Sequence, residues 1–145
     1  MNIYISCDHR GVDTEGQIVK YLRDLGLNVI TTKLEHNDKD DYPDFAFELC
    51  ENVINDEGSL GILMCGTGIG MSIAANKVKG IRAARCTSID DAFYSRQHND
   101  ANVLCLAIDS VDKMCEIIDT FINTKGAEES KHLNRVEKIK KYEER

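Results

Sequence analysis

A cysteine followed by a glycine-rich segment is the part of the sequence with the clearest chemical potential. Residues 63–70 read Leu-Met-Cys-Gly-Thr-Gly-Ile-Gly, so an apolar segment ends at Cys65 and opens into glycines. Glycine lets a ligand approach the backbone closely, and the free N–H groups at the start of a helix attract anions. The same groups favour the thiolate form of Cys65. The pattern predicts an anion hole beside a thiolate; a tight strand-to-helix turn beside a buried cysteine explains it equally well.

Three known motifs fit this loop less well. The dinucleotide fingerprint is G-x-G-x-x-G, whereas the spacing here is G-x-G-x-G, although Asp90 and Asp91 follow at about the expected 20 residues. A cysteine phosphatase loop needs an arginine where Met71 stands, and a Walker loop needs a lysine at that same position. The loop therefore carries no nucleotide signature.

Charged residues directly follow the first predicted strand. Asp8 and His9 lie in the run Cys-Asp-His-Arg-Gly, where a parallel sheet would direct them toward a ligand crevice. A solvated surface pair is the alternative interpretation.

Four further residues could contact a ligand. His98 comes near the end of a predicted helix, which favours its protonated form and a role as a general acid; helix capping by His98 and Asn99 is the alternative. Tyr42 is either a hydroxyl donor to a ligand or a partly buried core residue. Lys131 and Arg135 are four residues apart on one helix face, which suits either phosphate binding or a solvated charged surface.

Strands and helices alternate along the chain. The predicted strands are 2–6, 27–32, 60–64, 81–86 and 102–108, and the predicted helices are 16–25, 43–55, 71–77, 89–97, 110–123 and 128–144. Five strands, each followed by a helix, indicate an α/β fold with a parallel sheet covered on both faces. Ligands of such sheets bind beyond the carboxyl ends of the strands.

Composition narrows the class of protein. The 145 residues suffice for one domain, 1–145, and 42% hydrophobic with 30% charged residues is typical of a soluble globular chain. The net charge of −7 argues against binding nucleic acid or an anionic membrane, and no apolar run approaches the roughly 18 residues of a membrane helix.

The six cysteines are expected to be reduced and mostly buried. No two are spaced as C-x-x-C, and the first residues form a strand pattern rather than a secretory leader. We therefore expect a cytoplasmic protein without disulfides, zinc ribbon or other metal-ligand spacing.

These segments together resemble the type B ribose-5-phosphate isomerases over nearly the whole chain. The matching runs, in order, are Asp8-His9-x-Gly11, Asp41-Tyr42-Pro43, Cys65-Gly66-Thr67-Gly68-x-Gly70-x-Ser72-x-Ala74-Ala75-Asn76-Lys77, Gly80-Ile81-Arg82-Ala83, Arg96-x-His98-Asn99-Asp100-Ala101-Asn102-Val103-Leu104 and His132-x-x-Arg135-Val136. Galactose-6-phosphate and allose-6-phosphate isomerases belong to the same superfamily.

The resemblance implies an aldose–ketose isomerase that uses neither a metal nor another cofactor. It implies a three-layer, Rossmann-like sandwich with a five-stranded parallel sheet and a C-terminal helix. It also implies a homodimer, with the possibility of a tetramer, whose sites lie between subunits and bind a small sugar phosphate.

The resemblance assigns roles residue by residue. Cys65 resembles the base that moves a proton between C1 and C2, and His98 the residue that opens the sugar ring, with Asp8 assisting. The enediolate and sugar oxygens would rest on Gly66, Thr67, Gly68, Ile69 and Gly70. Asn99 and Tyr42 resemble hydroxyl ligands, and the phosphate ligands would be His9, Lys131 and Arg135.

Two positions depart from the family pattern. Asp109 stands where the family usually has a phosphate-binding arginine, and Lys131 replaces another arginine. A lysine keeps the charge but loses the bidentate fork. We expect weaker phosphate binding or a changed sugar preference, unless Asp109 turns away or pairs with Arg10.

Three classes of function follow from these residues. A sugar-phosphate isomerase of the ribose 5-phosphate type, or one for allose 6-phosphate or galactose 6-phosphate, fits best. A non-catalytic sugar-phosphate binder is the second class. A cysteine phosphatase or redox protein is the third, although the sequence has neither the loop arginine nor a resolving cysteine at C-x-x-C spacing.

Overall fold

Five parallel strands form one sheet in the computed structural model, which describes residues 1–108 and 110–145. The strands are β1 Asn2–Cys7, β2 Asn28–Thr31, β3 Leu60–Cys65, β4 Ala83–Arg85 and β5 Val103–Ala107, in the spatial order β2-β1-β3-β5-β4. The helices are α1 Val12–Asp24, α2 Tyr42–Ile54, α3 Ile69–Ala75, α4 Ile89–Gln97, α5 Val111–Asn123 and α6 Ser130–Glu143. Within the described ranges, no helix combines the length and apolar character needed to cross a membrane.

Helices cover both faces of the sheet, which confirms the predicted three-layer α/β architecture. One apolar cluster joins the sheet to α1, α4 and α5, and a second joins it to α2 and α3. All six residues of the central strand β3 are buried because both of its faces are covered. Ile62 and Met64 belong to the first cluster, whereas Leu63 and Cys65 belong to the second.

Several element boundaries differ from the sequence prediction. Helix α1 begins at Val12 rather than residue 16, because Asp8 caps a short 3-10 turn, His9–Gly11, that leads directly into it. Strand β4 is limited to residues 83–85 because the backbone N–H of Arg82 donates to the Asn102 side chain before the strand begins. Helix α3 begins inside the glycine segment, at residue 69.

The backbone of β3 lies unusually close to α2 at Gly61. A Cβ at this position would lie 2.6 Å from Leu49 Cδ2 and 3.1 Å from Val53 Cγ2, both on α2. The missing side chain therefore sets how closely α2 packs on the sheet.

The loop between β2 and α2 is held to the end of β1 by Asp40. One carboxylate oxygen accepts hydrogen bonds from the backbone N–H of His9 at 3.1 Å and from its Nδ1 at 2.6 Å, and the other lies 2.9 Å from His36 Nδ1. Burial opposes ionisation, but these hydrogen bonds prevail and lower the pKa of Asp40 to about 2. Asp40 is thus the ionised anchor of this loop.

Helix α6 follows the edge of the sheet at which the strands begin. Near its start, the His132 ring stacks on His98 at the end of α4, with ring centroids 4.2 Å apart. At its other end, Glu143 accepts a hydrogen bond from the backbone N–H of Gly80, shortly before β4. Residues of α6 therefore lie far from the edge at which the strands end.

Replacing Gly61 by valine should destabilise the fold. The added methyl groups would overpack the interface between α2 and β3, so we expect the free energy of unfolding to fall by about 2–3 kcal/mol. Gly16→Ala is the matched control: its Cβ would meet nothing within 4 Å, and alanine favours helix α1 by about 0.5–1 kcal/mol. Urea unfolding of both variants measures the difference, and equal midpoints would contradict the proposed close packing.

Replacing Asp40 by asparagine should cost stability in a pH-dependent manner. Because the folded pKa lies below the unfolded value near 3.8, the ionised carboxylate stabilises the fold above about pH 4, and this contribution is lost as the pH falls toward 2. We expect Asp40→Asn to lower the free energy of unfolding by about 1–3 kcal/mol at pH 6 and by less at pH 3. The exposed Asp38→Asn is the control, and urea titrations at both pH values provide the measurement. A penalty that does not shrink at pH 3 would refute the role of the charge.

Candidate active site

The Cys65 side chain lies at the turn from β3 into α3, where a backbone amide points at its sulfur. The N–H of Gly68 donates to Cys65 Sγ at 3.2 Å, and the side chain is 5% exposed. Gly68 has a φ of +75°, and a Cβ there would lie 2.9 Å from the carbonyl carbon of Leu106. Only glycine fits this turn without strain. The turn therefore places a backbone donor on the buried sulfur, as a site for a thiolate requires.

Thr67 occupies the exposed tip of the same turn. Its hydroxyl oxygen accepts from the N–H of Ile69 at 3.2 Å, and its carbonyl accepts from Arg85 Nε at 2.8 Å. A hydroxyl that accepts one hydrogen bond still has its own proton to donate. Thr67 is thus held in place with a donor available to a ligand oxygen.

The end of β1 lies directly beside the end of β3. Cys7 pairs with Met64, so the next residues, Asp8 and Cys65, leave neighbouring strands together, about 5 Å apart in a parallel pair. The chain moves from β1 outward to β2 on one side and to β3 on the other, which makes this the point where the strand order reverses. The structure therefore brings Asp8 and Cys65 together in the predicted crevice.

Arg10 is a residue of this crevice that the sequence analysis did not include among the site residues. A Cβ on Gly66 would lie 2.8 Å from Arg10 Nη2, so the guanidinium rests against the glycine turn. Arg10 Nε lies 4.0 Å from Asp8 Oδ2, and Asp8 Oδ1 accepts from the Arg10 N–H at 3.1 Å. An arginine directly after a strand-end Asp-His pair was the available signal. Its charge makes the entrance to the turn attractive to anions.

His9 and Tyr42 border the same turn. His9 Nδ1 bonds to Asp40, which fixes the ring and leaves Nε2 as the nitrogen for a ligand. The Tyr42 ring lies against Gly70, since a Cβ there would be 2.6 Å from Tyr42 Cζ. Tyr42 is 39% exposed and is therefore not a core residue. Nine predicted site residues thus share the edge at which the strands end, and we call them the carboxyl-edge group: Asp8, His9, Tyr42, Cys65, Gly66, Thr67, Gly68, Ile69 and Gly70.

The other four predicted residues lie at the opposite edge. His98 ends α4, and the loop that follows it is fixed to the beginning of β4, because the Asp100 carbonyl accepts from Arg82 Nε at 2.8 Å. The nine residues of α4 carry the chain back by about 13 Å from the ends of the strands. We call His98, Asn99, Lys131 and Arg135 the amino-edge group.

The amino-edge group is built around a pair of stacked imidazoles. The ring of His98 lies between His132, at 4.2 Å between centroids, and Tyr94, at 4.8 Å. Burial, followed by the neighbouring His98, lowers the pKa of His132. Lys131 and Arg135 are exposed, one turn apart on α6. His98 is thus half-buried in a position where it can still reach a ligand.

Within one chain, the thiol of Cys65 and the ring of His98 lie at opposite edges of the sheet. The carboxyl-edge group holds the thiol, the amide donor and His9, whereas the amino-edge group holds the second imidazole and two of the predicted phosphate ligands. Asp109, which the sequence analysis singled out, lies outside the described residues.

Comparison with known proteins agrees with this architecture. The profile of the Ribose/Galactose Isomerase family matches residues 3–139. A probable ribose-5-phosphate isomerase B of Mycoplasma pneumoniae is 43% identical over 144 residues, which cover 97% of this chain and 94% of that protein.

Solved structures show the same fold. Ribose-5-phosphate isomerase B of Clostridium thermocellum superposes with a TM-score of 0.93 at 42% identity, covering 99% of this chain and 98% of that one. The Mycoplasma genitalium enzyme, solved with bound ribulose 5-phosphate, gives a TM-score of 0.91 at 40% identity, covering 99% and 96%. With the fold, the thiol turn and the match over residues 3–139 in agreement, this chain belongs to the ribose/galactose isomerase family.

Proposed function

We propose that this protein is an aldose–ketose isomerase that interconverts ribose 5-phosphate and ribulose 5-phosphate by proton transfer. The observation that carries the proposal is the Gly68 N–H donated to Cys65 Sγ at the end of β3, beside Asp8. The family membership and the ribulose 5-phosphate bound to the Mycoplasma genitalium relative support the choice of substrate.

The thiolate of Cys65 acts as the base. It removes the proton from C2 of the open-chain aldose, and the electron pair of that C–H bond moves through the C1–C2 bond onto the carbonyl oxygen, giving an enediolate. The same thiol then returns its proton to C1, while the proton on the C2 hydroxyl passes to the oxygen at C1. No redox cofactor is needed, because the hydrogen moves as a proton within one substrate.

The glycine turn stabilises the enediolate oxygen. The first-turn amides of α3 and the Thr67 hydroxyl are donors beside the base, and donors of this kind act where charge develops in the transition state. The Arg10 guanidinium against Gly66 supplies a positive charge, and the His9 ring, held by Asp40, presents Nε2; both suit an anionic intermediate and a phosphate.

Ring opening requires a second acid–base group, and His98 fills this role with Asp8 assisting. Because His98 lies at the amino edge, the group that serves a given Cys65 is the partner's His98. Asn99 and Tyr42 bind sugar hydroxyls, and the phosphate rests on His9 together with Lys131 and Arg135.

A homodimer with shared sites meets this requirement. Ile69 and Ile73 are 48% and 58% exposed on α3, beside the thiol turn, and Tyr94 and Leu133 are 48% and 42% exposed beside His98. Apolar side chains next to both half-sites fit an isologous contact that sets each carboxyl-edge group against the amino-edge group of the partner.

The cytoplasm is the compartment that suits these cysteines. All six are free thiols, and the proposed mechanism needs Cys65 reduced.

A six-carbon phosphosugar is the alternative substrate, because Lys131 departs from the family pattern at a proposed phosphate ligand. Comparing kcat/KM for ribose 5-phosphate, allose 6-phosphate and galactose 6-phosphate separates the two possibilities.

Replacing Cys65 by alanine should remove the base without removing the binding site. We expect no exchange of the substrate C2 proton with deuterated solvent, and a loss of at least 1,000-fold in kcat, as is typical when an acid–base group is removed (about 10²–10⁴). Titration calorimetry should give a Kd for ribulose 5-phosphate within about threefold of the unmodified protein. Cys50→Ala, a buried cysteine of α2, is the control and should retain exchange. Exchange that persists in Cys65→Ala would refute the role of the thiol.

Mixing two inactive variants should restore activity if the site is shared. After Cys65→Ala and His98→Asn subunits are unfolded together and refolded, half of the dimers are hybrids, and one of the two sites in each hybrid has both Cys65 and His98. Activity on ribose 5-phosphate should therefore recover to about a quarter of the unmodified value. Mixing His98→Asn with the double variant is the control and should restore none. No recovery in the first mixture would contradict the shared site, even if each variant alone behaves as expected.

A further inference from the structure

Three side chains of the kinds that bind metals lie close together near the end of β1. Cys7 ends β1, Glu15 lies on α1, and His36 lies in the loop after β2. Their ligand atoms all lie within 4.8 Å of one another. Cys7 and Glu15 are buried, and the His36 side chain is 21% exposed. Cys7 belongs to the apolar cluster of the face covered by α1, whereas Cys65 belongs to the cluster of the other face.

Two atoms of the cluster have unmet hydrogen-bonding capacity. The Cys7 thiol donates to Glu15 Oε2 at 3.1 Å, but Glu15 Oε1 and His36 Nε2 are buried and have no partner within residues 1–108 and 110–145. A buried polar atom without a partner destabilises the fold. A bound cation would satisfy these atoms at once.

The histidine is oriented in the manner of a metal ligand. His36 Nδ1 lies 2.9 Å from the Asp40 carboxylate, and the ring stacks on Phe45 with centroids 4.6 Å apart. A proton donated from Nδ1 to an ionised carboxylate leaves the lone pair on Nε2, facing Cys7 and Glu15. Metal-binding histidines are commonly oriented by such a carboxylate.

We propose that Cys7, Glu15 and His36 form a Zn²⁺ site. A thiolate, an imidazole and a carboxylate are the ligands that zinc prefers, and a water molecule completes four-coordination. Binding replaces the S–H bond of Cys7 by a Zn–S bond and releases that proton to solvent. A tetrahedral site places sulfur and oxygen about 3.6 Å apart, so the 3.1 Å contact opens by about half an ångström.

Such a site would connect β1, α1 and the loop that precedes α2. Since Asp40 holds both His36 and His9, the metal would also fix the loop against which His9 is oriented. The zinc takes no part in the proton transfer at Cys65, which lies on the other face of the sheet.

Metal binding by the chelator-treated, full-length protein tests the proposal. Titration with Co²⁺ should reach one equivalent per chain and give the near-ultraviolet charge-transfer absorption of a cobalt–thiolate bond. Zn²⁺ should abolish this absorption by competition and raise the thermal midpoint. Glu15→Gln keeps an acceptor for Cys7 and should weaken Co²⁺ binding at least tenfold, while Cys7→Ser should remove the absorption. The control variants Cys65→Ala and Cys115→Ala should retain both the Co²⁺ affinity and the charge-transfer absorption.

Several results would overturn the proposal. An absorption that survives Cys7→Ser, or that disappears in Cys65→Ala, would place the metal on another thiol. The proposal also fails if Zn²⁺ leaves the thermal midpoint of the unmodified protein unchanged. If Cys7→Ser does not fold, the Co²⁺ affinities of Glu15→Gln and His36→Asn test the proposal instead. Unchanged affinity in both variants would contradict it. None of these readouts depends on isomerase activity, so they remain informative if the proposed substrate is wrong.

Discussion

A buried sulfur carries negative charge only where donors replace the water it has lost, and here the donor is the N–H of Gly68. That amide reaches the sulfur because residue 68 adopts a left-handed conformation against the backbone of Leu106 and Ala107. Leu106 and Ala107 belong to β5, which lies between β3 and β4 in the sheet. The spatial order of the strands therefore determines the surface against which the turn packs. The position of the Gly68 amide beside Cys65 therefore depends on non-local strand pairing as much as on the local glycines.

The direction of the strands imposes a second constraint. In a parallel sheet all strands end at one edge, and a helix that follows a strand returns the chain to the other edge. Cys65 follows β3 directly, whereas His98 follows α4, so one chain holds them on opposite sides. A proton-transfer mechanism that uses both must therefore use two chains.

The sequence predicted the alternation of strands and helices and the thiol turn, because buried strands and glycine-rich turns leave local patterns. It misplaced the start of α1, where Asp8 caps the 3-10 turn that leads into the helix. It also misplaced the start of β4, where the N–H of Arg82 donates to the Asn102 side chain. The division of the predicted site residues between the two edges of the sheet depends on the direction of α4, and no sequence motif indicates that direction. The proximity of Cys7, Glu15 and His36 depends on how one loop folds back on β1, so their spacing in sequence gave no signal.

Asp40 connects the candidate active site to the proposed metal site. A carboxylate has two oxygens, and here one holds His9 beside the thiol turn while the other holds His36 in the cluster with Cys7 and Glu15. Both imidazoles are oriented through Nδ1, so both present Nε2 to their surroundings. Any displacement of the loop therefore moves the two rings together. In the proposed mechanism His9 contacts the phosphate, and a shift of about 1 Å in such a contact can cost about 100-fold in rate, so the mechanism calls for a rigid loop. A metal bound at the proposed site would supply that rigidity through His36.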